Sequence, residues 1–231
     1  MKRKLLCAFT ITAALGLPVW AADHAESPAV TADPAADIAD VFLFRPDPAV
    51  NKLVAAMTFA GRPSSAAGGV RIDGPVMRCD PNVLYVFNID NNSDGRLDAR
   101  PNIRVMARLA RNGNGQCGVR IEGVPGMSGP VVGREGQVIT DTGSGLRAFA
   151  GLVEDPFFFD SQGFGATLAT FAASGQNGQL MFQNNRDSFG GRNLSGIVFE
   201  MDLNAAAGGN ALANPVMNFF GETFRFPGTM P

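Results

Sequence analysis

The segment Asn88-Ile89-Asp90-Asn91-Asn92-Ser93-Asp94-Gly95-Arg96-Leu97-Asp98 carries side-chain oxygens at alternate positions around a glycine. Such a pattern suits a hard cation, because calcium takes about six to eight oxygen ligands and alternation lets one turning backbone aim successive oxygens at a common centre. Asp90, Asn92 and Asp94 occupy the first, third and fifth positions of a calcium loop, Gly95 the sixth and Asp98 the ninth. Gly95 permits the positive φ that the turn needs, and Arg96, at the seventh position, would contribute its backbone carbonyl. The twelfth position, where an EF-hand places a bidentate Glu, holds Pro101. The loop is therefore not an EF-hand, and other oxygens or water must complete its ligand set. Turns also favour Asp, Asn, Ser and Gly. A tight turn, however, needs only two such residues, and carboxylates crowded together without a cation repel one another. The expectation is a Ca²⁺ site at Asp90, Asn92, Asp94, Arg96 and Asp98.

A second group surrounds the single histidine of the chain, in Asp23-His24-Ala25-Glu26-Ser27-Pro28. Asp37 and Asp40 follow closely, and Asp155 and Asp160 lie far along the chain. A histidine among carboxylates can ligate a transition metal or serve in acid–base chemistry, which makes a metal-dependent hydrolase-type enzyme the alternative functional reading. The competing reading is structural, with Asp37 and Asp40 capping a turn ahead of a strand. Other enzyme classes lack their signatures. His24 precedes every serine, so no Gly-x-Ser-x-Gly elbow has a downstream histidine. No phosphate-binding loop and no Cys-x-x-Cys pair occurs.

The positioning elements begin with a leader. Lys2, Arg3 and Lys4 precede an apolar run from Leu5 to Leu17 and a small-residue site at Val19-Trp20-Ala21, the three parts of a secretory signal peptide over residues 1–21. Residues 22–231 would form a single β-rich domain, large enough to bury a proper core. No later run approaches the roughly twenty apolar residues of a membrane span. The chain has 19 Lys and Arg against 21 Asp and Glu; loss of Lys2, Arg3 and Lys4 leaves the mature protein more acidic, with no attraction for nucleic acid. Its remaining lysine is Lys52, and Arg use beside abundant Ala and Gly hints at a GC-rich bacterial genome. A periplasmic or extracellular location follows. There, Cys79 and Cys117, the two cysteines beyond the leader, would form a disulfide enclosing the oxygen-rich loop.

Short β-prone runs separated by turn chemistry fill the rest: Val41 to Phe44, Leu53 to Phe59, Asn82 to Phe87, Ile103 to Leu109, Cys117 to Glu122, Gln137 to Thr140, Leu180 to Phe182 and Leu194 to Leu203. The chain contains 28 glycines and 15 prolines, residues that helix interiors reject. The pattern predicts an all-β fold, an antiparallel sandwich or irregular β-structure with long loops. Short helical elements are expected at Gly165 to Ala173 and near Pro34 to Ile38, and loops at Gly61 to Gly69 and Asn204 to Asn214. Phe157-Phe158-Phe159 reads as a strand buried on both faces or as an apolar contact site flanked by acids, since neighbours on a strand point to opposite sides.

Several of these segments, in order, resemble a bacterial secreted family known as domain of unknown function 4331. The similarity lies at Asp23 to Pro28, at Asp33-Pro34-Ala35-Ala36-Asp37-Ile38-Ala39-Asp40 through Phe44, at Asn88 to Gly95, at Ala150-Gly151-Leu152 through Asp160, and at Asp187-Ser188-Phe189 through Glu200. Two features depart from the family pattern: Ala25 stands where an Arg commonly follows the histidine, and the chain beyond Leu203 continues differently. The resemblance implies secretion and a β-rich domain and transfers no activity. It groups His24, Asp37, Asp40, Asp155 and Asp160 within the resembling segments as a possible second polar site. The leading expectation is a non-enzymatic, calcium-stabilised protein with a protein or small-molecule partner.

Overall fold

Alternation of apolar side chains sets the strands. Between Ile103 and Arg111, Val105, Ala107 and Leu109 are buried while Arg104, Arg108 and Ala110 are exposed; between Cys117 and Glu122, Cys117, Val119 and Ile121 are buried and Arg120 is exposed. The computed structural model describes residues 32–60, 77–92, 102–191 and 193–226. Its elements in chain order are β1 (Ile38–Phe44), β2 (Lys52–Phe59), β3 (Val83–Asp90), β4 (Ile103–Arg111), β5 (Cys117–Glu122), β6 (Val131–Arg134), β7 (Ile139–Thr140), β8 (Arg147–Glu154), α1 (Ser161–Ser174), β9 (Asn193–Asp202), α2 (Leu203–Ala206) and β10 (Asn218–Arg225). They build two five-stranded sheets, β1-β2-β9-β8-β7 and β10-β3-β4-β5-β6. Every pairing is antiparallel. The all-β sandwich expected from the sequence is the fold.

The inner faces supply one core. Phe59 of β2 packs on Tyr85 of β3 with ring centroids 4.3 Å apart, and Phe199 of β9 meets Phe87 of β3 edge-on at 4.8 Å. These pairs join the sheets through rings that are 0–1 % exposed, and such pairs add about 0.5–1.5 kcal/mol each beyond area burial. The Tyr85 hydroxyl donates to the Ala35 carbonyl at 2.8 Å, so the buried polar tip is satisfied and the segment before β1 is fixed. The sheets approach at two corners, where β10 lies by β1 and β6 by β7. Glycine makes both approaches feasible: a methyl group at Gly221 would stand 2.6 Å from Met57 Cε and 2.7 Å from Val41 Cγ1, and one at Gly133 would stand 2.3 Å from Ile139 Cγ1.

Three sequence readings need correction. Leu180 to Phe182 joins no sheet, and Phe157 to Phe159 is not a strand. Phe158 is 57 % exposed, while Phe157 and Phe159 stack at 5.5 Å and both rings meet Phe189. Of Gln137 to Thr140, only Ile139–Thr140 pairs. The strands β6, β8 and β10 were not foreseen. The expected helix at Gly165 to Ala173 lies inside α1, and the N–H groups of Ala36 and Asp37 donate to Asp33 and Pro34 carbonyls in the anticipated turn. The Gly61 to Gly69 loop lies outside the described residues.

Candidate functional site

The oxygen-rich segment begins at the end of β3 and leads to β4, its hydrogen-bonded neighbour, with Ile89 opposite Ile103. Tyr85, Phe87 and Ile89 point into the core, so the pleat sends Asn88 and Asp90 to the other face. That face is nevertheless covered: Asn88 is 0 % and Asp90 1 % exposed. Asn88 donates to Glu222 Oε2 at 2.6 Å and accepts from Arg104 Nε at 3.2 Å, a polar set spanning β10, β3 and β4. The Asn92 N–H turns back to Asp90 Oδ1 at 3.4 Å, whereas the Asn91 side chain donates to the Ala206 carbonyl at 2.6 Å. The second position of the loop is thereby anchored to α2, apart from the first and third. Asp94, Arg96 and Asp98 lie outside the described residues. Among the described residues no group of three or more His, Cys, Asp or Glu side chains is placed to hold a metal ion.

The second polar group separates into parts. Asp40 sits where the β1–β2 register shifts between Ile38 and Val41; its N–H donates to Thr58 Oγ1 at 3.1 Å. Burial, and then the charge of Asp155, push the Asp40 carboxyl up to about 6, against a smaller opposing effect of its hydrogen bond with Thr58. Asp155, 6 % exposed, leaves β8 and accepts the Phe157 N–H on Oδ1 at 3.0 Å. A neighbouring carboxylate disfavours the charged form of Asp40, in the same direction as its burial. Asp40 and Asp155 are thus close in space although remote in sequence.

Asp160 serves a different purpose. It caps α1, accepting the Gly163 N–H at 2.8 Å, and its other oxygen accepts from Arg186 at 2.6 Å and from the Gln183 N–H at 2.8 Å. The Arg186 guanidinium leads these bonds in holding its carboxyl down at about 2. Asp37 is 2 % exposed ahead of β1, with its carbonyl accepting the Ala60 N–H at 3.0 Å. His24 lies outside the described residues.

Other carboxylates are committed to the scaffold. Glu200 on β9 bridges Arg147 of β8, at 2.5 Å, and Lys52 of β2, at 3.1 Å. Those bonds, Arg147 foremost, bring it down to about 2. Asp141 accepts from both the N–H and hydroxyl of Ser128 and of Ser144, which lower its carboxyl well below the usual range. Asp33 and Asp80 both pair with Arg225 of β10, whose charge they reinforce. Apart from the local Asp141–Ser144 turn, no spacing in the sequence marks these partners.

Cys79, just ahead of β3, is bonded to Cys117 at the start of β5, with Cα atoms 6.0 Å apart. The bridge encloses β3, the oxygen-rich segment and β4, as expected. No helix among the described residues is long and apolar enough to cross a membrane. Compared with known proteins, the chain matches no family model, no curated protein and no solved structure.

Proposed function

We propose that this chain is a secreted, calcium-binding β-sandwich protein without catalytic turnover, in which the Asp90 to Asp98 loop binds Ca²⁺ and fixes the β3–β4 connection for a ligand- or partner-binding role. The observation that carries the reading is the turn at the end of β3: Asp90 is buried, the Asn92 N–H donates to its carboxylate, and the Asn91 side chain is fastened to α2. A carboxylate held at the first loop position by the turn that follows it is the start that an oxygen-donor loop requires. Asp94 and Asp98 would supply further carboxylates, and Arg96 its backbone carbonyl; the ion would neutralise these charges. We also propose membership of the secreted family 4331 and a periplasmic or extracellular location. The Cys79–Cys117 bridge supports an oxidising compartment. Calcium titration of chelator-stripped protein tests the loop: wild type should gain thermal stability, and Asp94→Asn should weaken the response at least tenfold in calcium concentration. An unchanged melting temperature refutes it.

The Asp40–Asp155 pair supports a second reading, an enzyme using His24 and these carboxylates with a metal. A carboxyl raised to about 6, as at Asp40, suits proton transfer near neutral pH. The discriminating variant is His24→Ala. In a panel of ester, phosphoester and glycoside substrates, turnover that His24→Ala abolishes favours the enzyme, and no turnover in wild type favours the binding protein.

A further inference from the structure

The chain from Gln179 to Gln183 runs back along α1 and is exposed throughout. The Gln179 N–H donates to Thr170 Oγ1 at 2.7 Å, the Met181 N–H to Thr167 Oγ1 at 2.9 Å and the Gln183 N–H to Asp160 Oδ2 at 2.8 Å. The carbonyls face the same way: Gln179 accepts from Thr170 Oγ1 at 2.9 Å and Met181 from Arg186 at 3.4 Å. This period of two identifies an extended strand whose inner edge is paired with helix side chains instead of a neighbouring strand. Close approach is built in, since a methyl group at Gly163 would lie 2.8 Å from the Met181 carbonyl oxygen.

In an extended strand the N–H and C=O of one residue share a side, and those of the next point oppositely. Leu180 and Phe182 therefore direct both backbone groups outward, and among the described residues no hydrogen bond reaches either one. These residues are 75 % and 47 % exposed, with Met181 between them at 43 %. Edges of this kind are normally blunted by Lys, Pro or a bulge. From Ser161 to Asn185 there is no Asp, Glu, Lys, Arg or Pro.

We infer that this outer edge pairs with the same edge of a second copy, forming a two-fold antiparallel ribbon centred on Met181. Leu180 then lies opposite Phe182 of the copy, and each symmetry-related pair exchanges both of its backbone hydrogen bonds. Leu180 and Phe182 also share a face, so the cross-strand pair is apolar. The lack of charge selects a second copy as occupant: at a two-fold axis a charged residue faces its own sign, which this segment avoids throughout.

Sedimentation equilibrium of the purified protein tests the pairing. Wild type should dimerise reversibly. Leu180→Pro removes the outward N–H while sparing the helix-facing bonds, and should weaken the dimer roughly thirty-fold, one bond being lost from each copy. Met181→Lys places like charges across the axis and should weaken it independently, most at low salt. Met181→Cys should oxidise to a covalent dimer, because the central pair lies about 4.5 Å apart. A wild type that stays monomeric up to roughly 1 mM, or a dimer indifferent to both Leu180→Pro and Met181→Lys in correctly melting protein, overturns the inference.

Discussion

Asp40 and Glu200 show how the same functional group acquires opposite roles from its surroundings. Glu200 has two cationic partners and is held down at about 2; Asp40 is part-buried beside Asp155 and is pushed up to about 6. The two make opposite contributions to stability against pH. Glu200 stabilises fully above its ordinary 4.5 and loses that contribution as pH falls towards 2. Asp40 contributes fully below its ordinary 3.8 and loses the contribution as pH rises through about 6, because the unfolded chain releases the proton first. Asp40→Asn should therefore melt higher than wild type above pH 6, by about 1 kcal/mol after allowing for water around a part-exposed group, with the difference vanishing near pH 4. Thermal melts of both proteins across this range check it; a constant offset contradicts the carboxyl pairing. The types of both residues were legible in the sequence. Their roles were not, since Lys52, Arg147 and Asp155 are remote in sequence and only the fold brings them near.

At the level of elements, apolar alternation was informative where the pleat alone decides burial. Cys117–Glu122 has the anticipated limits, because one face is core and the other carries Arg120. The pattern fails in β8, Arg-Ala-Phe-Ala-Gly-Leu-Val-Glu, whose small residues weaken the contrast between faces, and in β10, where Phe219 and Phe220 fall on opposite faces. Conversely, Leu180 to Phe182 reads as a strand yet enters no sheet, since Thr167, Thr170 and Asp160 take its inner edge. Glycines that permit sheet contact were likewise hidden among the many that serve turns. Gly221→Ala should destabilise by about 1–3 kcal/mol, as the added methyl meets Met57 and Val41 at less than van der Waals distance in a filled core. Urea denaturation measures the effect, and an unchanged midpoint contradicts the close approach at that corner.

For the molecule as a whole, two cross-links of different kinds would bracket the same region. The disulfide ties the start of β3 to the start of β5 across a separation of 38 residues, and its removal by Cys79→Ala with Cys117→Ala should cost on the order of 3–4 kcal/mol, read as a lowered melting temperature in non-reducing buffer. A cation in the Asp90 to Asp98 loop would secure the β3–β4 connection inside that ring. The disulfide was legible because Cys79 and Cys117 are the two cysteines that follow Cys7, whereas the proximity of Asp40 and Asp155 depends on sheet topology. The most direct measurement is the melting temperature of chelator-stripped protein with and without millimolar calcium. A site filled to about a hundred times its dissociation constant should raise the transition by roughly 5–10 °C, with the gain lost in Asp94→Asn combined with Asp98→Asn; identical melting curves for wild type with and without calcium would contradict the account.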